Sequence, residues 1–363
     1  MSLIRKKEEI VRDLLEILVE YLSRGEALAV VTIVSHEGST PRTAGSKMLV
    51  DRRGSLVAGS VGGGLLEAAA LEAAPLVLES GKPELMDFDL SGELAAGADM
   101  ICGGRLRVFV EAAQTGDFEI FKGLLEKLQN GTDMLLITAL DGAHPGLRVV
   151  LDMHGEKGEP AFPVAEECRR AARGALGALI VKRNDVCWFA EPWLVPPRMI
   201  LCGGGHVAQA VVPVAGGAGF EVTVLDDREE FSGSDRFPGA SCCRCVPGFT
   251  DCFRGMKLDG KSYVVILTRG HVHDALVLEQ VLEAGRAGHV AGYVGMIGSR
   301  RKREEIYAAL RCKGASDAEL SRVHCPVGLP IGAETPGEIA VSIVAECIVR
   351  RSQSEDREKR GKS

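Results

Sequence analysis

Leu201-Cys202-Gly203-Gly204-Gly205-His206-Val207-Ala208 is the stretch that decides the fold of this chain. It follows the short apolar run Arg198 to Leu201 and opens into an apolar-periodic segment, Val207 to Ala218. Gly203, Gly205 and Ala208 stand at G-x-G-x-x-A spacing, and a second apolar run, Glu221 to Leu225, ends at Asp226. Strand, glycine turn, helix, strand and acid in that order describe a nucleotide-type βαβ unit. Glycine lets the backbone approach a pyrophosphate, and the helix N-terminus presents free N–H groups and the positive end of its dipole. An acid at the end of the second strand can accept a ribose hydroxyl. The unit begins past the middle of the chain, so a region of comparable size precedes it.

The 363 residues suit two domains. Hydrophobic residues make up 46%, enough for ordinary cores, and the net charge of −7 with a pI near 5.7 argues against bulk nucleic-acid binding. No apolar run reaches the roughly 18 residues of a membrane span. The N-terminal MSLIRKKEEIVRDLLEILVEYL carries acids throughout and reads as an amphipathic helix, not a signal peptide. A cytoplasmic, reducing compartment with free thiols is expected for the eleven cysteines. Cys242, Cys243, Cys245 and Cys252 lack paired C-x2-C knuckles and fall where a third Rossmann strand and its turn belong, so no metal site is expected there.

Outward from the glycine turn, the second half alternates strand and helix. Strands are expected near 198–202, 221–226, 263–268 and 291–295, with helices near 205–218, 272–287, 299–312 and 335–350. This implies an α/β domain, a Rossmann-like doubly wound parallel sheet over 198–350. Residues 1–191 read as an α+β domain with a mostly antiparallel sheet: a helix over 3–24, strands at 28–34, 46–50, 56–58, 106–110, 134–138, 149–151, 179–182 and 186–189, and helices after Gly64, at 118–128 and at 166–172. Between the two, three prolines in Pro192–Pro197 predict an extended linker. The polar tail, 351–363, is expected to be disordered.

Further motifs stand outside the glycine turn. In the first half these are Glu37-Gly38-Ser39-Thr40-Pro41-Arg42-Thr43-Ala44-Gly45-Ser46-Lys47-Met48, then Gly59-Ser60-Val61-Gly62-Gly63-Gly64-Leu65-Leu66-Glu67, then Met100-Ile101-Cys102-Gly103-Gly104. In the second half they are Thr268-Arg269-Gly270-His271-Val272-His273-Asp274, Gly295-Met296-Ile297-Gly298-Ser299-Arg300-Arg301-Lys302-Arg303, and the run from Cys325-Pro326-Val327-Gly328 to Glu334-Thr335-Pro336-Gly337-Glu338-Ile339-Ala340. In this series, and from about residue 10 to about residue 350, the chain resembles the xanthine dehydrogenase accessory factor (XdhC/CoxI) family. The resemblance implies a protein that holds molybdenum cofactor (molybdopterin, alone or as a dinucleotide), supports exchange of an oxo for a sulfido ligand, and helps load the cofactor into a molybdenum hydroxylase. It implies a hydroxylase client, a cysteine desulfurase and a second copy of the chain as partners; the charge and the apolar runs read above add no nucleic acid and no membrane.

Such a cofactor is an anion with phosphate at one end and a metal dithiolene at the other. Gly62-Gly63-Gly64 at a helix start fits a second anion cradle, or a tight turn needing positive φ; the resemblance favours binding. Arg42 has two partners open to it, the cofactor or a local carboxylate such as Glu67. Cys102, before a Gly-Gly pair, is a candidate catalytic thiol able to carry sulfur or touch molybdenum, and equally a small residue at a strand entry. His271 and His273 follow the fourth Rossmann strand at the ligand-binding edge, with His273 a candidate proton donor and Asp274 a candidate N-cap. His206 points near the same crevice. Ser299 suits an N-cap, and Arg300 and Arg301 in a first helical turn oppose the helix dipole unless an anion sits there. Thr335, Pro336 and Glu338 are explained by helix initiation.

Two other functions fit parts of the chain. An NAD(P)-dependent oxidoreductase would use Gly203, Gly205 and Asp226 for its nucleotide, with the acid favouring NAD over NADP. A docking platform would use the fold with no ligand at all. The ligand site is expected where residues of both halves meet, Arg42, Gly62–Gly64 and Cys102 from one and His271, His273 and Ser299–Arg301 from the other.

Overall fold

The protein is described here from a computed structural model, which covers residues 3–38, 40, 42–90, 104–153, 155, 162–174 and 177–360. Two compact units emerge, Lys7–Val195 and, in the main, the chain from Pro196 onward.

In chain order the first unit contains α1 (Leu3–Ser23), β1 (Leu28–Glu37), β2 (Lys47–Val50), β3 (Leu56–Gly59), α2 (Gly64–Ser80), β4 (Glu84–Asp89), β5 (Arg105–Ala113), α3 (Phe118–Gln129), β6 (Met134–Ala139), β7 (Arg148–Asp152), α4 (Ala165–Gly174), β8 (Leu179–Arg183) and β9 (Val186–Trp193). Two antiparallel sheets form where the sequence suggested one: β3-β2-β1-β5-β4 and β7-β6-β9-β8. Period-two alternation sorts β1 between two cores. Ala29, Val31 and Ile33 pack with Leu66, Ala70 and Ala74 of α2, while Leu28 and Val30 join Leu14 and Leu18 of α1, Phe121 of α3, Leu136 and Trp193. Two ion pairs lie inside this unit, Lys47–Glu191 at 3.0 Å and Arg148–Glu111 at 2.7 Å. Burial pushes the Glu111 carboxyl up against the pull of Arg148.

Strand pairing also reaches into the segment read as a connector. Pro192 pairs with Leu135 and Trp193 with Met134 of β6. Proline is tolerated there because the β8 register ends at Ala190, so that flank of β9 needs no donor.

The second unit contains β10 (Arg198–Cys202), α5 (His206–Gly217), β11 (Glu221–Asp226), β12 (Cys242–Cys245), β13 (Ser262–Ile266), α6 (His271–Arg286), β14 (Tyr293–Met296), α7 (Arg300–Cys312), α8 (Asp317–Leu320), β15 (Val323–His324) and α9 (Pro336–Arg360). Its sheet runs β12-β11-β10-β13-β14-β15, every pair parallel. The order reverses between β10 and β13, which makes that the switch point where open α/β sheets hold ligands. Val211, Val212 and Ala215 of α5 with Ile343, Val344 and Cys347 of α9 form one core with the sheet. Val277 and Leu278 of α6 with Ile306 and Leu310 of α7 form the other. This is the doubly wound fold that the glycine stretch implied. One expectation fails at the C-terminal end: helix continues through Arg360 where a disordered tail was expected. Residues 351–360 contain neither proline nor glycine, the first glycine being Gly361, so nothing in the chain stops the helix.

Candidate functional site

The C-terminal ends of β10, β11, β13 and β14 place Gly203, Asp226, Leu267 and Ile297 along one edge of the sheet. The three glycines of the turn have different reasons to be glycine. Gly203 has φ +116°, and a Cβ there would stand 2.4 Å from the Leu267 carbonyl oxygen. A Cβ on Gly204 would stand 1.9 Å from the Phe231 carbonyl oxygen. Gly205 faces open space, is the N-cap of α5 and makes no side-chain cap bond. Backbone packing therefore fixes the first two, and only the third borders space open to a ligand. Ala208, at the last motif position, is fully buried, and His206 is exposed at the start of α5.

Asp226 is brought to the glycine turn but not for a ribose. It is 1% exposed. Its Oδ2 accepts from the Gly204 N–H at 2.7 Å and from Arg228 Nη2 at 3.1 Å, and its Oδ1 accepts from the Arg228 N–H and Nε, both at 3.0 Å. Four bonds fill the acceptor capacity of a carboxylate. The ribose role expected of it is therefore closed to this side chain. Arg228 in turn lies 3.6 Å from the centroid of the Phe231 ring, and Arg236 4.7 Å from the same ring. Arg236 Nε donates to the Gly204 carbonyl at 3.1 Å. Asp227 is clasped by Arg269, with Nη2–Oδ2 at 2.8 Å and a second, closer contact to Oδ1. That fork holds the Asp227 carboxyl below the usual carboxylate range. The pair links the β11 and β13 ends, which flank β10 and its glycine turn.

His271 begins α6 and is exposed. His273 lies in the first turn of α6, its ring 5.4 Å from Phe249 and its Nδ1 buried without a hydrogen-bond partner. Asp274 is not the N-cap expected of it, because the cap position belongs to Gly270. Its carboxylate is instead fully buried, taking the Thr268 hydroxyl on Oδ1 and the Lys302 ammonium on Oδ2. Burial pushes this carboxyl up, and the two donors oppose that. Ser299 is the N-cap of α7, accepting from the Lys302 N–H at 3.3 Å. Arg300 is exposed, and Arg301 is exposed and reaches Glu305 at 3.1 Å.

In the first unit Gly62, Gly63 and Gly64 all have positive φ, and α2 starts at Gly64. The Gly63 N–H, which a bound anion would use, donates to Glu67 Oε1 at 3.0 Å, and the Ser60 hydroxyl donates to the same oxygen at 2.7 Å. The tight-turn reading accounts for these glycines, and the chain's own carboxylate occupies the amide of Gly63. Arg42 is exposed and pairs with neither Glu67 nor any other carboxylate among the described residues. Cys102, with Ser39 and Pro41, lies outside the described residues. Among the described residues, no cluster of histidine, cysteine or carboxylate could hold a metal ion.

Arg228, Phe231 and Arg236 escaped the sequence reading, and Arg269 and Lys302 stood in its motifs without a role. Arg228 two residues past Asp226 was the available signal, since an arginine next to the strand-end acid is the usual alternative to a free acid.

Comparison with known proteins fits this geometry. The XdhC Rossmann domain model matches residues 199–347, and the XdhC and CoxI family model matches residues 21–89. The chain is 26% identical to a Bacillus subtilis protein described as a probable xanthine dehydrogenase subunit, over 90% of this chain and 94% of that protein. It is 24% identical to the molybdenum cofactor insertion chaperone PaoD of Escherichia coli, over 95% of this chain and 90% of that one. The uncharacterized protein YqeB of Escherichia coli is 26% identical over 88% of this chain, which spans only 43% of YqeB. A crystal structure described as a xanthine dehydrogenase from Bacillus halodurans shares the fold, with a TM-score of 0.64 at 24% identity over 97% of this chain and 96% of that chain. With both models matched in order over more than half of its length, the chain belongs to the XdhC and CoxI family.

Proposed function

We propose that this protein is a molybdenum-cofactor accessory factor. It holds a molybdopterin-type cofactor, supports its sulfuration, and delivers it to a xanthine dehydrogenase-type molybdenum hydroxylase. The observation that carries the reading is the pairing of the family's two domains in one chain, with the switch point of an open parallel sheet in the second. The named role of PaoD and the description of the Bacillus subtilis relative agree with it.

The residues fit the phosphate end of such a cofactor. The open flank of Gly205, the N-terminus of α5 beside His206, and the guanidiniums of Arg228 and Arg236 would hold it. Arg300 at the start of α7 is a further anion partner. When bound, the cofactor supplies the molybdenum centre through its own dithiolene. His273 is positioned by Phe249 with one ring nitrogen unpaired and is the proposed proton donor. Cys102 is the proposed sulfur-handling thiol. A cysteine desulfurase partner, a homodimer and a cytoplasmic location belong to the same proposal. Among the described residues no helix is long and apolar enough to cross a membrane.

The test is a pair of variants, Cys102→Ala and Arg300→Ala, assayed for molybdenum and pterin retained after purification and for activation of a client hydroxylase. Loss of client activation in Cys102→Ala with cofactor retained supports the sulfur role. Retention and activation at parental levels in both variants would overturn these assignments.

A further inference from the structure

The glycine-turn crevice has lost the feature that reads a sugar diol and gained one that reads phosphate. Asp226 occupies the strand-end position from which an acid binds ribose hydroxyls. Here both of its oxygens are spent on Gly204 and Arg228, and it is buried. A diol arriving at this end of the crevice meets no free acceptor from Asp226. What it meets is guanidinium. Arg228 is 31% exposed and its Nη1 enters no hydrogen bond among the described residues. Arg236 spends only Nε, on the Gly204 carbonyl, and both of its terminal amino groups are unspent among the described residues. Both guanidiniums rest against the one Phe231 ring, at 3.6 and 4.7 Å from its centroid.

Asp226 compensates the charge of Arg228 in an ion pair at 3.0 Å, and Arg236, which forms no ion pair among the described residues, carries the uncompensated charge. Asp226 is saturated, and Asp227 is held by Arg269, with only a 4.0 Å approach to Arg228 Nε. Glu229, Glu230 and Asp235 are exposed and form no ion pair with Arg228 or Arg236 among the described residues. The loop that carries the arginines is itself locked, since the Phe231 carbonyl leaves no room for a Cβ on Gly204. Guanidiniums with unspent donors suit the oxygens of a phosphate monoester and have no preference for a neutral diol.

We infer that the β11 end of this crevice binds a terminal phosphate monoester through Arg228 and Arg236. This makes its ligand a phosphate-ended heterocycle, not a nucleotide presenting a free ribose diol. The inference rests on the crevice being the ligand site of the proposed function. Two sources share the chemistry: a pterin ending in its own phosphate, and a 2′-phosphorylated nicotinamide nucleotide.

The experiment uses the full-length protein. NADPH and NADH are titrated by calorimetry, with inorganic phosphate as competitor. In parallel, pterin and phosphate are quantified in parent, Arg236→Met and Arg236→Lys proteins purified from cells that make molybdenum cofactor. NADPH bound at least about ten-fold tighter than NADH, with the preference lost in Arg236→Met, supports the inference with a nucleotide source. No binding of either nucleotide, with phosphate-ended pterin retained by the parent and about ten-fold depleted in Arg236→Met, supports it with a pterin source. Arg236→Lys keeps the charge and decides the matter if Arg236→Met does not fold. NADH bound as tightly as NADPH, or a dinucleotide pterin with a free diol retained equally by parent and variants, would overturn it. A protein that prefers NADPH but carries no molybdenum would sink the proposed function and leave this inference standing.

Discussion

Two glycine turns open helices in this chain, and a carboxylate of the chain sits on each. At Gly62–Gly64 the carboxylate is local: Glu67, one turn into the same helix, takes the Gly63 N–H. At Gly203–Gly205 it comes from the next strand, where Asp226 takes the Gly204 N–H across 22 residues of sequence. The first arrangement closes on itself. The second leaves Gly205 unobstructed and draws Arg228, Phe231 and Arg236 around the turn. Similar glycine runs thus give a self-satisfied helix start in one unit and a bordered crevice in the other. The difference lies in where the acid comes from and in how closely backbone packs on the glycines.

Adding a methyl group should separate the turns most sharply. Gly204→Ala places a Cβ against the Phe231 carbonyl and is expected to cost roughly 4 kcal/mol or more. Gly63→Ala meets nothing within 4 Å, and its backbone conformation, φ 77° with ψ −178°, should alone cost about 1–3 kcal/mol. Urea denaturation of each variant gives both numbers, and equal costs would break the comparison.

Next in size is the buried charge beside the crevice. Lys302→Met strands the Asp274 carboxylate and should destabilise by about 3–5 kcal/mol. Adding Asp274→Asn should recover much of that loss. A double variant no more stable than the single one would show that the pair does not act as a unit.

The Rossmann unit also carries a proton-linked contribution. Glu346 accepts from the Tyr293 hydroxyl at 2.5 Å and from the Gly328 N–H at 2.8 Å, and pairs with His324 at 2.8 Å. Burial alone would raise its carboxyl, but these partners win and hold it at about 2. A depressed folded pKa contributes stability that is fully present above the ordinary value of 4.5 and is lost as pH falls toward 2. Glu346→Gln should therefore cost roughly 2–3 kcal/mol at neutral pH, and less at each step below pH 4.5. Urea midpoints at pH 7, 5 and 3.5 would check it, and a pH-independent gap would contradict it.

The smallest effect belongs to the local turn. Glu67→Ala frees the Gly63 N–H and the Ser60 hydroxyl and should cost about 1 kcal/mol, read from the same urea midpoints.

The sequence made the Rossmann architecture legible because its signals are local: an apolar run, a glycine turn, a helical period, an acid. It hid β4, whose Glu84–Asp89 alternates acids with apolar residues and pairs Asp87 with Arg107 only once β5 is alongside. It hid β15 because two residues leave no period to detect. At the site, residue positions could be read but partners could not. Asp226 was found, yet its loss to Gly204 and Arg228 depends on how the 227–236 loop packs. Asp274 looked like a helix cap, and only the placement of α7 gives it Lys302. Pro192 looked like a break until the unpaired flank of β9 explained it.

The central claim is that the Rossmann crevice serves a phosphate-ended molybdenum cofactor. Its most direct test is mass spectrometry of the small molecules released from purified full-length protein, with elemental analysis for molybdenum. Parent protein should release a phosphate-ended pterin with molybdenum in near-equal amount, and an Arg228→Ala, Arg236→Ala double variant should release neither. A parent protein that releases no pterin and carries no molybdenum, when purified from cells competent to make the cofactor, would contradict the account.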